Sequence, residues 1–107
     1  MLAWAYLAAA IMSEVVGTVF LRFTDGFTKP LLSGLVVATY AVSLWLTALA
    51  LRELEVSLAY AVWAGVGTAA VAVIGMAALG ETVNALKLAS IALVIGGVVG
   101  LNLSAAN

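Results

Sequence analysis

The chain has 107 residues, of which 66% are hydrophobic and 8% charged, and its net charge is −1 at pH 7. This composition excludes an ordinary soluble domain, in which about 25% of residues carry a charge, and the charge balance excludes a basic surface for nucleic acid. Because the sequence contains no cysteine and no histidine, disulfides and the usual soft metal-ligand sets are excluded as well, and we predict neither a cofactor nor a bound metal.

Four apolar stretches take up nearly all of the sequence and predict four membrane-spanning helices. They cover about residues 2–21, 31–51, 56–79 and 87–104 and are separated by short polar segments. A helix needs about 20 apolar residues to cross a bilayer, and each stretch can meet that length. We therefore predict an all-α membrane protein in which residues 1–107 form a single four-helix transmembrane domain with both termini on one side.

The first predicted span contains one charged residue, Glu14. A carboxylate near the middle of a bilayer is costly, and such residues commonly mark a binding site or an ion pathway. Ala10 and Thr18, which are four residues away on either side, share its helix face together with Gly17, and their small side chains leave room for a bound molecule. The alternative is a structural hydrogen bond to another helix, but no Lys or Arg lies within the apolar part of any other span to neutralise Glu14, since Lys87 stands at the very start of the fourth.

A carboxyl group in this setting suggests a proton-coupled process. Removal from water disfavours the charged form, so Glu14 can hold a proton, whereas a cation in the same place favours the ionised form and displaces that proton. One residue can then bind a proton or a cation but never both, which is sufficient for antiport. We predict that the affinity for the cation falls as the pH drops.

Aromatic residues favour a lipophilic cation as the ligand, since ring faces attract positive charge. Tyr40 lies in the second span, and Tyr60 and Trp63 are three residues apart in the third. Trp4 precedes Glu14 by ten residues, and it is predicted either to line the site or to anchor the helix at the membrane interface.

Small residues mark the third and fourth spans. Gly65 and Gly67 predict either a bend in the third helix or close packing against a neighbour. The fourth span carries small residues on two narrow stripes, which are Ser90, Ala92, Gly96, Gly97 and Gly100. Such stripes form helix-packing faces. Because four helices alone leave little room for an aromatic cation, we predict a homodimer that packs through the fourth helix.

Positive charge gives only a weak indication of orientation. Arg22, Lys29 and Lys87 lie in or beside the first and third loops, and Arg52 lies in the second, so the positive-inside bias rests on very short segments. Two alternatives remain open. The chain inserts in both orientations, which would create an inverted pair suited to alternating access, or it has a fixed orientation with the first loop in the cytoplasm.

Three segments together resemble the small multidrug resistance family, and the resemblance covers all four spans. They are Glu14–Thr18 (EVVGT), Asp25–Pro30 (DGFTKP) and Ala59–Gly67 (AYAVWAGVG). The resemblance implies a proton-coupled exporter of quaternary ammonium and other hydrophobic cations, working as an antiparallel dimer in the bacterial inner membrane. It also implies that Glu14 is the shared proton and substrate site.

The resemblance assigns roles to further residues. Trp63 corresponds to the residue that stacks on the substrate, and Tyr40 and Tyr60 correspond to the aromatic wall and gate. The remaining candidates in or near the pocket are Trp4, Ala10, Gly17, Thr18 and Ser43. The flexible point of the third helix and the dimer seam of the fourth correspond to Gly65, Gly67, Ser90 and Gly97. The chain departs from the usual pattern, in ways that bear on pocket size, at Trp4, Ala10, Arg22 and Ala64.

The substrate class has alternatives. Guanidinium exporters of the family usually carry Trp where this chain has Gly17, so we predict multidrug efflux, with guanidinium export as the alternative. Some relatives work as unlike pairs, so one half of a heterodimeric exporter is a further alternative. A proton-conducting rotor ring would leave the aromatic residues unexplained, and a structural membrane subunit would leave Glu14 unexplained. We predict a transporter without catalytic residues, and not an enzyme.

Overall fold

The structure is a computed structural model that describes residues 2–105, and every regular element in this range is helical. The helices are α1 (Leu2–Arg22), α2 (Pro30–Ala50), α3 (Val56–Ala78) and α4 (Ala85–Ala105). All four are long and apolar enough to cross a membrane. The prediction of an all-α protein with four membrane-length helices is therefore confirmed.

The chain divides between Leu54 and Glu55 into two compact units, each of which is a helical hairpin. The first unit contains α1 and α2, and the second contains α3 and α4. The division falls in a short polar connection that carries Arg52 and Glu53. That the two hairpins form one domain stays a prediction.

The first hairpin buries one face of α1 against α2. Leu7 of α1 and Val36 of α2 are fully buried, as is Ala10, whose small side chain lets the two backbones approach. The opposite faces carry large apolar side chains that are exposed, among them Leu31 and Leu44. Apolar outer faces are expected of helices surrounded by lipid. Lipid offers no hydrogen-bond partner, and the backbone groups of each helix are already paired within the helix.

A hydrogen-bonded turn joins α1 to α2. The Thr24 side chain is fully buried, and its hydroxyl donates to the Leu21 carbonyl at 2.8 Å and accepts from the Phe27 amide at 3.2 Å. Residues 25–27 all have positive φ angles, between 49° and 69°, a conformation that is unfavourable for residues other than glycine. Pro30 then lies at the start of α2, where its fixed φ angle suits the helix.

A second compact turn joins α3 to α4. Gly80 has a φ angle of +70° just after the end of α3, and the Glu81 amide donates to the Gly75 carbonyl at 3.0 Å. The Glu81 carboxylate folds back over Gly75, where any side chain would collide with it, and Oε1 lies 3.6 Å from Lys87 Nζ. Asn84 Oδ1 accepts from the Lys87 amide at 2.8 Å. This N-cap explains why α4 begins at Ala85, slightly earlier than the predicted residue 87.

Candidate functional site

Glu14 lies close to the middle of α1 and is half-buried. Its Oε1 accepts a hydrogen bond of 2.9 Å from the Thr18 hydroxyl, one turn further along the same helix. No Lys or Arg among residues 2–105 forms an ion pair with it, since the ion pair of this range joins Lys87 to Glu81. The structure therefore presents a membrane-embedded carboxyl group with a hydroxyl donor and without a compensating positive charge.

The hydrogen-bonded chain continues from α1 to α2. Thr18 Oγ1 lies 2.8 Å from the Tyr40 hydroxyl, at a distance where either oxygen can donate. Thr18 and Tyr40 are both half-buried. Three of the predicted site residues, Glu14, Thr18 and Tyr40, are thus brought together in one line of hydrogen bonds.

Gly17 makes this contact between the helices possible. A Cβ atom at this position would collide with the Thr39 hydroxyl and would lie 3.2 Å from Cε1 of the Tyr40 ring. The absence of a side chain therefore lets the Tyr40 ring lie directly against α1 beside Thr18. The sequence indicated free space beside Gly17, and in the structure α2 occupies that space.

Two serine side chains join the helices at the level of Glu14. The Ser43 hydroxyl of α2 is 4% exposed and donates to the Ala10 carbonyl at 2.8 Å, the group that accepts the Glu14 amide in a regular α-helix. Ser13 of α1 donates in the other direction, to the Thr39 carbonyl of α2 at 2.7 Å. The two bonds cross-link the backbones of α1 and α2 reciprocally and hold the Glu14 backbone in place.

Ser13 and Thr39 were not predicted from the sequence. Each one is next to a residue that was singled out, Glu14 and Tyr40 respectively. The signal that could have found them is their polarity within an apolar span, since a hydroxyl in a bilayer needs an acceptor. For Ser13 the acceptor is the Thr39 carbonyl on the other helix, which depends on how the helices cross and has no counterpart in the sequence. The Thr39 hydroxyl instead donates within α2, to the Val36 carbonyl at 2.8 Å.

Trp4 lies near the start of α1 and is half-buried. Ten residues separate it from Glu14, which corresponds to about 15 Å along the helix axis. This position is compatible with both of its predicted roles, so its place in the pocket stays a prediction.

The second hairpin carries the other aromatic candidates. The rings of Tyr60 and Trp63 meet edge to face, with centroids 5.7 Å apart and an angle of 62° between the planes. Tyr60 is 64% exposed, and the indole nitrogen of Trp63 is buried without a hydrogen-bond partner among residues 2–105. This aromatic pair belongs to the second unit, whereas the line of hydroxyls on Glu14 belongs to the first.

The glycines of α3 are buried within a continuous helix. Gly65 lies against Val98 and Val94 of α4, and an added side chain would collide with Val98. Gly67 is buried as well. Close packing explains Gly65, and the flexible point predicted at Gly65 and Gly67 stays a prediction.

The predicted packing face of α4 is exposed. Its residues are Ser90, Ala92, Gly96, Gly97 and Gly100. A Cβ atom added at any of the three glycines would meet no atom within 4 Å. The face is therefore open to another helix, as the prediction of assembly through α4 requires.

Comparisons with known proteins agree with these features. A family model described as Small Multidrug Resistance protein matches residues 2–94. The guanidinium exporter of Escherichia coli (strain K12) is 42% identical over 103 residues, which are 96% of this chain and 98% of the exporter. The multidrug resistance protein EbrB of Bacillus atrophaeus is 42% identical over 101 residues, which are 94% of this chain and 86% of EbrB.

A longer relative is also similar. The nicotine metabolites export pump subunit NepB of Paenarthrobacter nicotinovorans is 47% identical over 102 residues, which are 95% of this chain. The match spans only 61% of the length of NepB. Two of these names refer to export, of guanidinium and of nicotine metabolites, and the third refers to multidrug resistance.

Proposed function

Because this chain belongs to the small multidrug resistance family, we propose that it is a proton-coupled antiporter that exports hydrophobic and quaternary ammonium cations. Its four membrane-length helices and its bacterial relatives make it a multi-pass transport protein of the bacterial plasma membrane. The substrate class and the coupling to protons are the two parts of the proposal.

The observation that carries the proposal is the environment of the Glu14 carboxyl group. Its carboxyl group is half-buried in a membrane-length helix, receives a hydrogen bond from Thr18 and has no cationic partner among the described residues. An isolated carboxylate in a bilayer is unfavourable, so it gains stability from a proton or from a bound cation. The two ligands compete for the same oxygen atoms, and the competition couples the export of a cation to the entry of protons.

Aromatic side chains supply the preference for lipophilic cations. We assign Tyr40 of the first hairpin, and Tyr60 and Trp63 of the second, to this role. Their ring faces attract positive charge, and the attraction is stronger where water is excluded. Ser43, Ala10, Gly17 and Trp4 are retained as proposed pocket residues, the first three because they set the spacing of α1 and α2 around Glu14.

The proposed transporter is an antiparallel homodimer that packs through α4. Support comes from the exposed small residues of α4, on which the three glycines leave space for a second helix. Two copies in opposite orientations would be related as the inverted repeats of other transporters are. The name of NepB, a pump subunit, keeps assembly with an unlike partner as an alternative.

Guanidinium export is the second candidate function, and the names of several relatives favour it. The exporters from two Escherichia coli strains are 42% and 43% identical to this chain and are covered over 98% of their length. Against it stands Gly17, where the guanidinium exporters of the family usually carry Trp. In this chain Thr39 and Tyr40 occupy the space beside Gly17, so a Trp there would require α2 to move.

The test is cation binding to the purified protein as a function of pH. We expect tetraphenylphosphonium to bind with an affinity that falls as the pH is lowered, and Glu14→Gln to abolish binding. Glu55→Gln is the matched control, because it removes a carboxyl group from the exposed start of α3. Affinity that is independent of pH, or that survives in Glu14→Gln, contradicts the proposal. Binding of guanidinium without tetraphenylphosphonium selects the second candidate.

A further inference from the structure

The Thr18 hydroxyl stands between two groups and has only one proton to donate. It donates to Glu14 Oε1 at 2.9 Å, and it lies 2.8 Å from the Tyr40 hydroxyl, where either oxygen can be the donor. While Glu14 is ionised its carboxylate can only accept, so Thr18 must donate to it. The Tyr40 hydroxyl must then donate to Thr18, and its lone pairs point away from the Thr18 oxygen.

Protonation of Glu14 at Oε1, the oxygen that Thr18 contacts, reverses this order. When Oε1 carries the proton, it donates to Thr18, and Thr18 then donates to the Tyr40 oxygen. The phenolic O–H of Tyr40 is released and points away from Thr18. We propose that Thr18 and Tyr40 form a hydroxyl relay that converts the protonation state of Glu14 into the direction of the Tyr40 hydroxyl, and that this direction selects cations that carry an N–H group.

The selection follows from the two directions. With Glu14 ionised, Tyr40 presents an acceptor, which stabilises a cation that donates an N–H and adds nothing for a quaternary cation. With Glu14 protonated, Tyr40 presents a donor, which repels the same N–H. The relay thus favours protonated amines over quaternary ammonium ions of the same shape, and it rests on the proposed function of Glu14 as the shared site.

Other ionisable groups on the two helices lie too far away to replace the relay. Besides Glu14 and Tyr40, the ionisable residues of α1 and α2 are Tyr6 and Arg22. Each is eight residues from Glu14, about 12 Å along the helix axis. Thr18 therefore links the charge of Glu14 to Tyr40 of α2. It is a positioning residue, because it orients the Tyr40 hydroxyl.

The test compares two cations that differ by one group, benzyldimethylammonium, which has an N–H, and benzyltrimethylammonium, which has none. Affinities are measured across pH for the full chain and for Tyr40→Phe, Thr18→Val and Thr18→Ser. We expect Tyr40→Phe and Thr18→Val to weaken benzyldimethylammonium about five- to tenfold more than benzyltrimethylammonium, the equivalent of one hydrogen bond.

Thr18→Ser separates the relay from packing, since it keeps the hydroxyl and removes only a methyl group. We expect it to retain the selectivity for benzyldimethylammonium over benzyltrimethylammonium. Equal losses for the two cations in Tyr40→Phe, or identical behaviour of Thr18→Val and Thr18→Ser, would overturn the relay. Neither result bears on the proposed antiport, which is contradicted instead when the unmodified chain binds both cations without dependence on pH.

Discussion

The two hairpins are built from helices of nearly the same length, but different chemistry joins the helices within each. Among residues 2–105, the side-chain hydrogen bonds between helices all join α1 to α2, through Ser13, Ser43, Thr18 and Tyr40. The contact between α3 and α4 at Gly65 is apolar, since Gly65 packs against two valines of α4. The difference indicates that directional bonds around Glu14 fix the first hairpin, whereas the second is held by apolar packing and leaves the small residues of α4 exposed.

Blocking the exposed face of α4 is expected to have the largest effect, which is loss of the dimer. Gly97→Leu places a bulky side chain on this face, where no atom lies within 4 Å inside the chain, so the α3–α4 hairpin should remain intact. The dimer should be lost because a second helix can no longer approach. Crosslinking and the mass of the detergent-solubilised protein measure the result. Gly34→Leu, at an open position of α2, is the control, and equal dimer content in both variants contradicts assembly through α4.

Gly17 tests the close approach of α1 and α2. Gly17→Ala is expected to destabilise the protein by about 1–3 kcal/mol, because its methyl group collides with Thr39 and crowds the Tyr40 ring. Gly34→Ala adds the same methyl group in open space and should be neutral or slightly stabilising. Thermal unfolding in detergent compares the two. If Gly17→Ala is as stable as the unmodified chain, α2 can move away from α1 at little cost in free energy.

The spans and the contacts within one helix could be predicted from the sequence, whereas the contacts between helices could not. The four spans follow from apolar length, and the pairing of Glu14 with Thr18 follows from the helical repeat of one turn. The contacts of Thr18 with Tyr40 and of Ser43 with Ala10 depend on the rotation and crossing of two helices. Spacing along one helix carries no information about either contact. The small residues around Glu14 therefore indicate space for a ligand in the sequence, whereas α2 fills the space beside Gly17 in the structure.

Each of the two serine hydrogen bonds between α1 and α2 should contribute a smaller amount to the free energy of unfolding. Ser13→Ala and Ser43→Ala each remove one hydrogen bond between helices, which is expected to cost about 0.5–1.5 kcal/mol. Ser57→Ala, at an exposed position of α3, is the control. If unfolding shows no difference between these variants and the control, the cross-links do not hold the first hairpin together.

The ion pair in the second turn should have the smallest effect. Lys87 Nζ and Glu81 Oε1 are 3.6 Å apart, and both side chains are partly exposed, at 30% and 39%. Such pairs contribute from about 0 to 1 kcal/mol and are screened by salt. Glu81→Gln should therefore change the unfolding temperature little, and less at high salt. A large loss of stability would show that the charge of Glu81, whose carboxylate lies over Gly75, contributes more than an exposed ion pair does.

The central claim is that one carboxyl group, Glu14, binds either a proton or a cation. The most direct measurement is the number of protons released to a weakly buffered solution when tetraphenylphosphonium binds, at a pH where its affinity depends on pH. We predict proton release on binding to the unmodified chain and none from Glu14→Gln. Cation binding to the unmodified chain with no release of protons would contradict the account.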